Sequence, residues 1–169
     1  EPQKEVFKFL KLRFKGNKKI KLYNYALGES KKIKKIYLSN LTSLSTMSKF
    51  DNKSVWLKIK NLIVGDKDRV SLSLNVPQKT IDLVFKKISL KKSFLKIDVE
   101  GYELNVLLGA KNKIKEIPFI LIEKHTFGQY DNSFNSVNDF LVKNNFEIIK
   151  SFYYPTLHYK DLLYKKKGQ

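Results

Sequence analysis

Apolar residues recur along this chain with two different periods, and the alternation of the two predicts its layout. Phe7, Leu10 and Phe14 fall on one helical face between Pro2 and Gly16, with Glu5 in the first turn, which predicts a helix over residues 3–15. Ile20, Leu22 and Ala26 then alternate with polar positions, Asn24 included, and predict a strand that ends before Gly28. Ile33–Leu38 and Val70–Val76 read as strands, with the Ser/Thr/Asn stretch Ser39–Ser48 as a loop between them. After Pro77, Ile81, Val84, Phe85 and Ile88 stand at i, i+3, i+4 and i+7, the spacing of an amphipathic helix over 79–88.

The second half repeats the scheme. Phe94–Ile97 is a short apolar strand, and Leu104, Leu107, Leu108 and Ile114 mark a helix over 103–114. Pro118 precedes Phe119–Ile122, an unbroken apolar run of the kind found in strands covered on both faces. Ser136 with Asp139 resembles a capping box for a helix over 136–144. Phe146–Phe152 and Leu157–Tyr164 are two further strands, separated by Pro155 and too close for a crossover helix, so they are expected to pair antiparallel. Helices alternating with strands predict one α/β domain over residues 1–169, with a mostly parallel sheet and an antiparallel pair at its C-terminal end.

Composition narrows the function. The 169 residues are 42% hydrophobic and 13% aromatic, enough for a packed core. No apolar run approaches the roughly 18 residues of a membrane span. With no Cys there are no disulfides, zinc–thiolate sites or thiol nucleophiles, which suits a cytoplasmic chain. The charge is +18, from 34 basic and 16 acidic residues, yet only Arg13 and Arg69 are arginine. The bidentate forks that grip phosphate and guanine are almost missing, so dispersed, solvated Lys is the favoured reading over a dedicated polyanion site. Some attraction to acidic substrates or surfaces remains. The seven glycines are never closer than Gly101 and Gly109, so neither a G-x-G-x-x-G turn nor a P-loop can form.

Candidate chemistry gathers at strand ends, where open parallel sheets bind ligands. Asp98 and Glu100 follow the strand Phe94–Ile97, Glu123 ends Phe119–Ile122, and His125 lies two residues further on. Strands about 4.8 Å apart would let these carboxylates face one crevice. Glu100 either faces that crevice or binds its own loop, and His125 is either a base or a surface residue. Glu103 suits the first turn of a helix, and His158 sits in a strand pattern as a structural residue.

The segment FLKIDVEGYELNVLLGA, Phe94–Ala110, resembles the signature of the FkbM family of S-adenosylmethionine-dependent methyltransferases, roughly K-I-D-x-E-G-x-E-x-x-V-L-x-G-A. Glu1-Pro2, Tyr25-Ala26-Leu27-Gly28, Thr80-Ile81-Asp82 and Ile120–Glu123 resemble further family pieces in the same order. The resemblance implies a Rossmann-like class I methyltransferase sheet and S-adenosylmethionine as cofactor. The family's D-x-G-A-N-x-G loop and the central first strand lie upstream of the E-P position. These residues are therefore expected to be an N-terminally truncated methyltransferase domain.

The resemblance places Glu1 as the acid for the cofactor's ribose hydroxyls and Ala26 and Leu27 at its adenine pocket. Asp98 and Glu100 fall beside the cofactor, and Glu123 and His125 on the acceptor side. The implied reaction is O-methylation of a sugar or natural-product hydroxyl, with Asp98 or His125 as base. A divalent cation on Asp98 and Glu123 is the alternative to the preferred metal-free base. The rival functions are a basic RNA-binding or RNA-modifying domain, and a non-catalytic remnant of a methyltransferase.

Overall fold

The computed structural model describes residues 1–38, 72–125, 134–153 and 159–168. Helix α1 (Lys4–Arg13) leads into strand β1 (Ala26–Leu27), β2 (Lys32–Leu38) and β3 (Leu72–Lys79). The short helix α2 (Ile81–Val84), β4 (Phe94–Ile97), helix α3 (Glu103–Leu108), a 3₁₀ turn (Lys113–Lys115) and β5 (Phe119–His125) follow. Helix α4 (Phe134–Lys143), β6 (Phe146–Tyr153) and β7 (Tyr159–Lys166) complete the described elements.

The described strands form two sheets, β1-β3-β2 and β4-β5-β7-β6, where one mostly parallel sheet was expected. Among the described strands, β1/β3 and β4/β5 run parallel. The pairs β2/β3, β5/β7 and β6/β7 are antiparallel, so the parallel share of the sheet is the smaller one. The C-terminal antiparallel pair forms as predicted, and β7 also inserts between β5 and β6. A single cluster of buried side chains joins both sheets, from Ala26, Ile36 and Val76 to Ile97, Leu107, Ile120, Ile122 and Tyr164.

Several local expectations change. The strand expected over 20–26 shrinks to Ala26–Leu27, because β3 offers parallel partners only at Gln78 and Lys79. Upstream, the Asn24 amide turns back to donate to the carbonyls of Glu1 and Pro2, each at 3.1 Å. Strand β3 runs through Pro77, which pairs with Ile33; β1 does not reach this position, so among the described strands Pro77 has a neighbour on one side only, the edge setting in which proline is tolerated. Helix α2 is a single turn; Ile88, expected on its apolar face, is exposed and gains no burial that would favour a longer helix. Helix α4 begins at Phe134, so Ser136 and Asp139 lie inside it and no capping box forms there. The Ser39–Ser48 loop, Pro155 and His158 lie outside the described residues.

The T-I-D triplet turns out to be a double cap. Thr80 Oγ1 accepts the Leu83 N–H at 3.1 Å and starts α2. The Asp82 carboxylate accepts the N–H of Asn112 at 3.0 Å and of Lys113 at 2.9 Å, and so starts the 3₁₀ turn after α3. The helix expected over 103–114 is thereby split in two at Gly109.

At Gly109 the segment after α3 packs closely on the segment after β1. A Cβ there would stand 2.1 Å from the carbonyl oxygen of Gly28, and one on Gly28 would stand 2.4 Å from the side chain of Gln78. Both positions therefore need glycine for space. Beside this contact lies a polar knot. The Tyr102 hydroxyl donates to Glu29 Oε2 at 2.8 Å, Asn105 Nδ2 donates to the same oxygen at 3.2 Å, and Lys32 pairs with the other oxygen. Gln78, fully buried, donates to the Ser30 carbonyl at 2.9 Å. Burial works against charge on Glu29, but Lys32, its own backbone N–H and Tyr102 outweigh it and hold the carboxyl down at about 2. Burial and then Glu29 push the Tyr102 hydroxyl up, so it stays a donor.

Two outcomes follow. Gly109→Ala should lower stability by about 1–3 kcal/mol, the usual range for overpacking against backbone; an unchanged denaturation midpoint would contradict the contact. Glu29 has a folded pKa below its unfolded value, so its contribution is full above pH 4.5 and is lost as pH falls toward about 2. Glu29→Gln should therefore flatten that part of the acid denaturation profile, and a mutant profile parallel to wild type would show that the knot does not hold the charge.

Candidate functional site

A cavity of about 430 Å³ opens between the N-terminal segment that precedes α1 and the ends of β1 and β4. The N-terminal segment contributes Glu1, Pro2 and Gln3, where the Glu1 carboxylate accepts the Gln3 N–H at 2.7 Å and so fixes the start of α1. Lys21, Leu22, Tyr23, Tyr25, Ala26 and Leu27 form one wall, with the Tyr23 and Tyr25 rings tilted against each other at 5.4 Å. The Lys79 ammonium lies 4.3 Å from the centre of the Tyr25 ring. Burial, then the neighbouring Tyr23, push the Tyr25 hydroxyl up. Val84 and Phe85 supply an apolar side, and Asp98 and Val99 close the cavity from the end of β4. Apolar walls with a few polar groups, at this volume, are the usual make-up of a small-molecule site.

Asp98 also belongs to a second group. The parallel register Ile97↔Ile122 brings the positions that follow, Asp98 and Glu123, side by side. Ligand oxygens of Asp98, Glu100 and Glu123 lie within 4.8 Å of one another. Lys96 Nζ stands 2.9 Å from Asp98 Oδ2 and offsets part of this negative charge. The connecting loop is sharply turned, with φ of 52° at Glu100 and 88° at Gly101, a conformation glycine adopts without strain. Glu103, buried, accepts the Gly101 N–H at 3.0 Å and ties the loop to α3. Three carboxylates so arranged can accept hydrogen bonds from hydroxyls, take a proton, or offer the oxygen donors that Mg²⁺ and Ca²⁺ prefer.

Of the residues predicted from sequence, the cavity brings together Glu1, Ala26, Leu27 and Asp98. Glu100 and Glu123 are not among its described lining residues; they join Asp98 in the acidic trio beside it. His125 ends β5 opposite Tyr159, and its side chain lies outside the described residues. Sequence reasoning missed the aromatic walls, Tyr23, Tyr25 and Phe85, whose only signal is their nearness to Ala26 and Ile81. It also missed Asp161, which is buried and pairs with Glu123 across β5 and β7, extending the row of acids. That neighbour could be found only by knowing the register of β7.

A family model for the methyltransferase FkbM domain matches residues 1–148. Comparison with curated proteins and with solved structures gives no match. The matched stretch takes in both walls of the cavity, the acidic trio and the Gly28–Gly109 contact between the sheets. On that extent of agreement, the chain belongs to the FkbM family of methyltransferases.

Proposed function

We propose that this protein is an S-adenosylmethionine-dependent O-methyltransferase whose acceptor is a hydroxyl of a sugar or natural-product scaffold. The observation that carries the reading is a single cavity holding Glu1, Ala26, Leu27 and Asp98 on its walls, with Glu100 and Glu123 beside Asp98. The lining fits the cofactor's chemistry: an exposed carboxylate for a vicinal diol, tyrosine and aliphatic walls for a purine, and a carboxylate near the cationic end. Glu1 would hold the ribose hydroxyls, since one carboxylate accepts from two adjacent donors. Ala26 and Leu27, with Tyr25 and Phe85, would enclose the base.

When bound, the cofactor supplies an electrophilic methyl group. The chain's own task is to orient the acceptor oxygen and take its proton. Asp98 would serve both, a reading supported by its position bordering the cavity and within the acidic trio. Glu123 and Glu100 would fix neighbouring hydroxyls of a polyol acceptor, and His125, at the end of β5, is the second candidate base. Lys96 already brings a positive charge to Asp98, which favours the metal-free base over a bound divalent cation.

Calorimetric titration with S-adenosylmethionine tests the binding half of this proposal, and turnover on polyol acceptors the chemical half. Asp98→Asn should cut turnover by about 10²–10⁴-fold, the usual range for general-base assistance, with the melting midpoint retained. Glu1→Gln should instead weaken cofactor affinity by roughly tenfold, the scale of a charged hydrogen bond, with turnover at saturation less affected. Near-normal turnover of folded Asp98→Asn would make Asp98 structural and the site assignment wrong.

A further inference from the structure

Several lysines of this chain lie over aromatic rings, and one of these contacts differs from the others. Lys79 Nζ stands 4.3 Å from the centre of the Tyr25 ring, whereas the remaining lysine–ring contacts of the described residues measure 5.0–5.2 Å. Tyr25 is also the one ring among these that lines the cavity. Lys79 is half-buried, and its backbone is fixed: it pairs with Leu27 in the parallel register, and its carbonyl accepts the Gly28 N–H at 2.9 Å. Among the described residues no carboxylate pairs with its ammonium, so the charge is not neutralised there. Burial and Tyr23 keep the proton on the Tyr25 hydroxyl, so the cation meets a neutral ring and not a phenolate.

We propose that Lys79 is a positioning residue for the cofactor's base: it holds the Tyr25 ring as a fixed wall and makes that wall selective for a neutral aromatic group over a cationic one. The inference rests on the methyltransferase reading. A ring face attracts cations through its quadrupole. With Lys79 already on Tyr25, a second cation at that ring meets the repulsion of the first, while a neutral purine meets a flat, ordered surface. S-adenosylmethionine carries one group of each kind. Its purine is thereby directed to Tyr25, and its sulfonium to the end of β4, where Asp98, Glu100 and Glu123 gather. A ring held in advance also spares the ligand the cost of ordering it on binding. Lys79 itself is not among the described lining residues, so it acts through Tyr25.

The test is calorimetric titration of the full chain with S-adenosylhomocysteine and with adenosine, which carry the base but no sulfonium. Lys79→Met keeps an unbranched apolar stem and removes the charge. It should weaken both ligands by roughly three- to tenfold, the scale of a partly buried cation–π contact, at an unchanged melting midpoint. Lys79→Arg, which keeps a cation on the ring, should bind both like wild type. In a Tyr25→Leu background Lys79→Met should cost nothing further, a coupling that a merely structural lysine would not show. Trimethylsulfonium, a cation without a base, should compete with adenosine more strongly in Lys79→Met than in wild type. Should Lys79→Met disturb the fold, Lys79→Gln repeats the comparison. Unchanged affinities in a folded neutral variant overturn the proposal, and so do equal losses with and without the Tyr25 ring. Equal competition by trimethylsulfonium overturns the selectivity. Failure of wild type to bind either ligand overturns the methyltransferase reading itself, and this proposal with it.

Discussion

The approach of Gly109 to the Gly28 carbonyl is the constraint on which the rest of this structure depends. It presses the segment after β1 against the end of α3: a Cβ on Gly109 would meet the Gly28 carbonyl, while one on Gly28 would meet the side chain of the buried Gln78. The consequence is chemical as well as steric. Ala26 and Leu27 stand just before Gly28, while Asp98 and Val99 stand just before the α3 segment that ends at Gly109. The two walls of the cavity are thus set by one backbone contact. The knot of Glu29, Tyr102, Asn105 and Gln78 then fixes that contact with charge-assisted bonds, which are roughly twice as strong as neutral ones. Much of the family signature is explained by this geometry: Gly109 gives clearance, Glu103 binds the turned loop at Gly101, and Asp82 caps the 3₁₀ turn.

How much of this was legible in the sequence depended on how local the cause was. Strands β4 and β5 have compact apolar runs and appear where their pattern places them, within a residue or a few. The proximity of Asp98 and Glu123 followed because both end neighbouring parallel strands. What was not legible depends on long-range pairing. Nothing around Ala26 indicates that β3 offers it only two partners, and nothing around Pro77 indicates that one side of the strand is free. Glu29 lies in a turn between Gly28 and Ser30, with no local sign that it meets Tyr102, seventy-three residues away. The acid row at Asp161 was hidden for the same reason, since register between strands leaves little trace in either strand alone.

The basic charge also acquires a structural meaning. Lys34, Lys79, Lys150, Lys160 and Lys166 each lie over an aromatic ring, at 4.3–5.2 Å from its centre. Lysine here covers aromatic surface that would otherwise meet water. That use is consistent with dispersed lysines and almost no arginine.

The central claim is that one cofactor bridges both walls of the cavity. Hydrogen exchange in the presence and absence of S-adenosylmethionine tests it most directly. The account predicts slowed exchange together in residues 21–28, in 84–85 and in 96–101, with β6, on the far edge of its sheet, unchanged. Protection confined to one wall, or centred on β6 and β7, would contradict it.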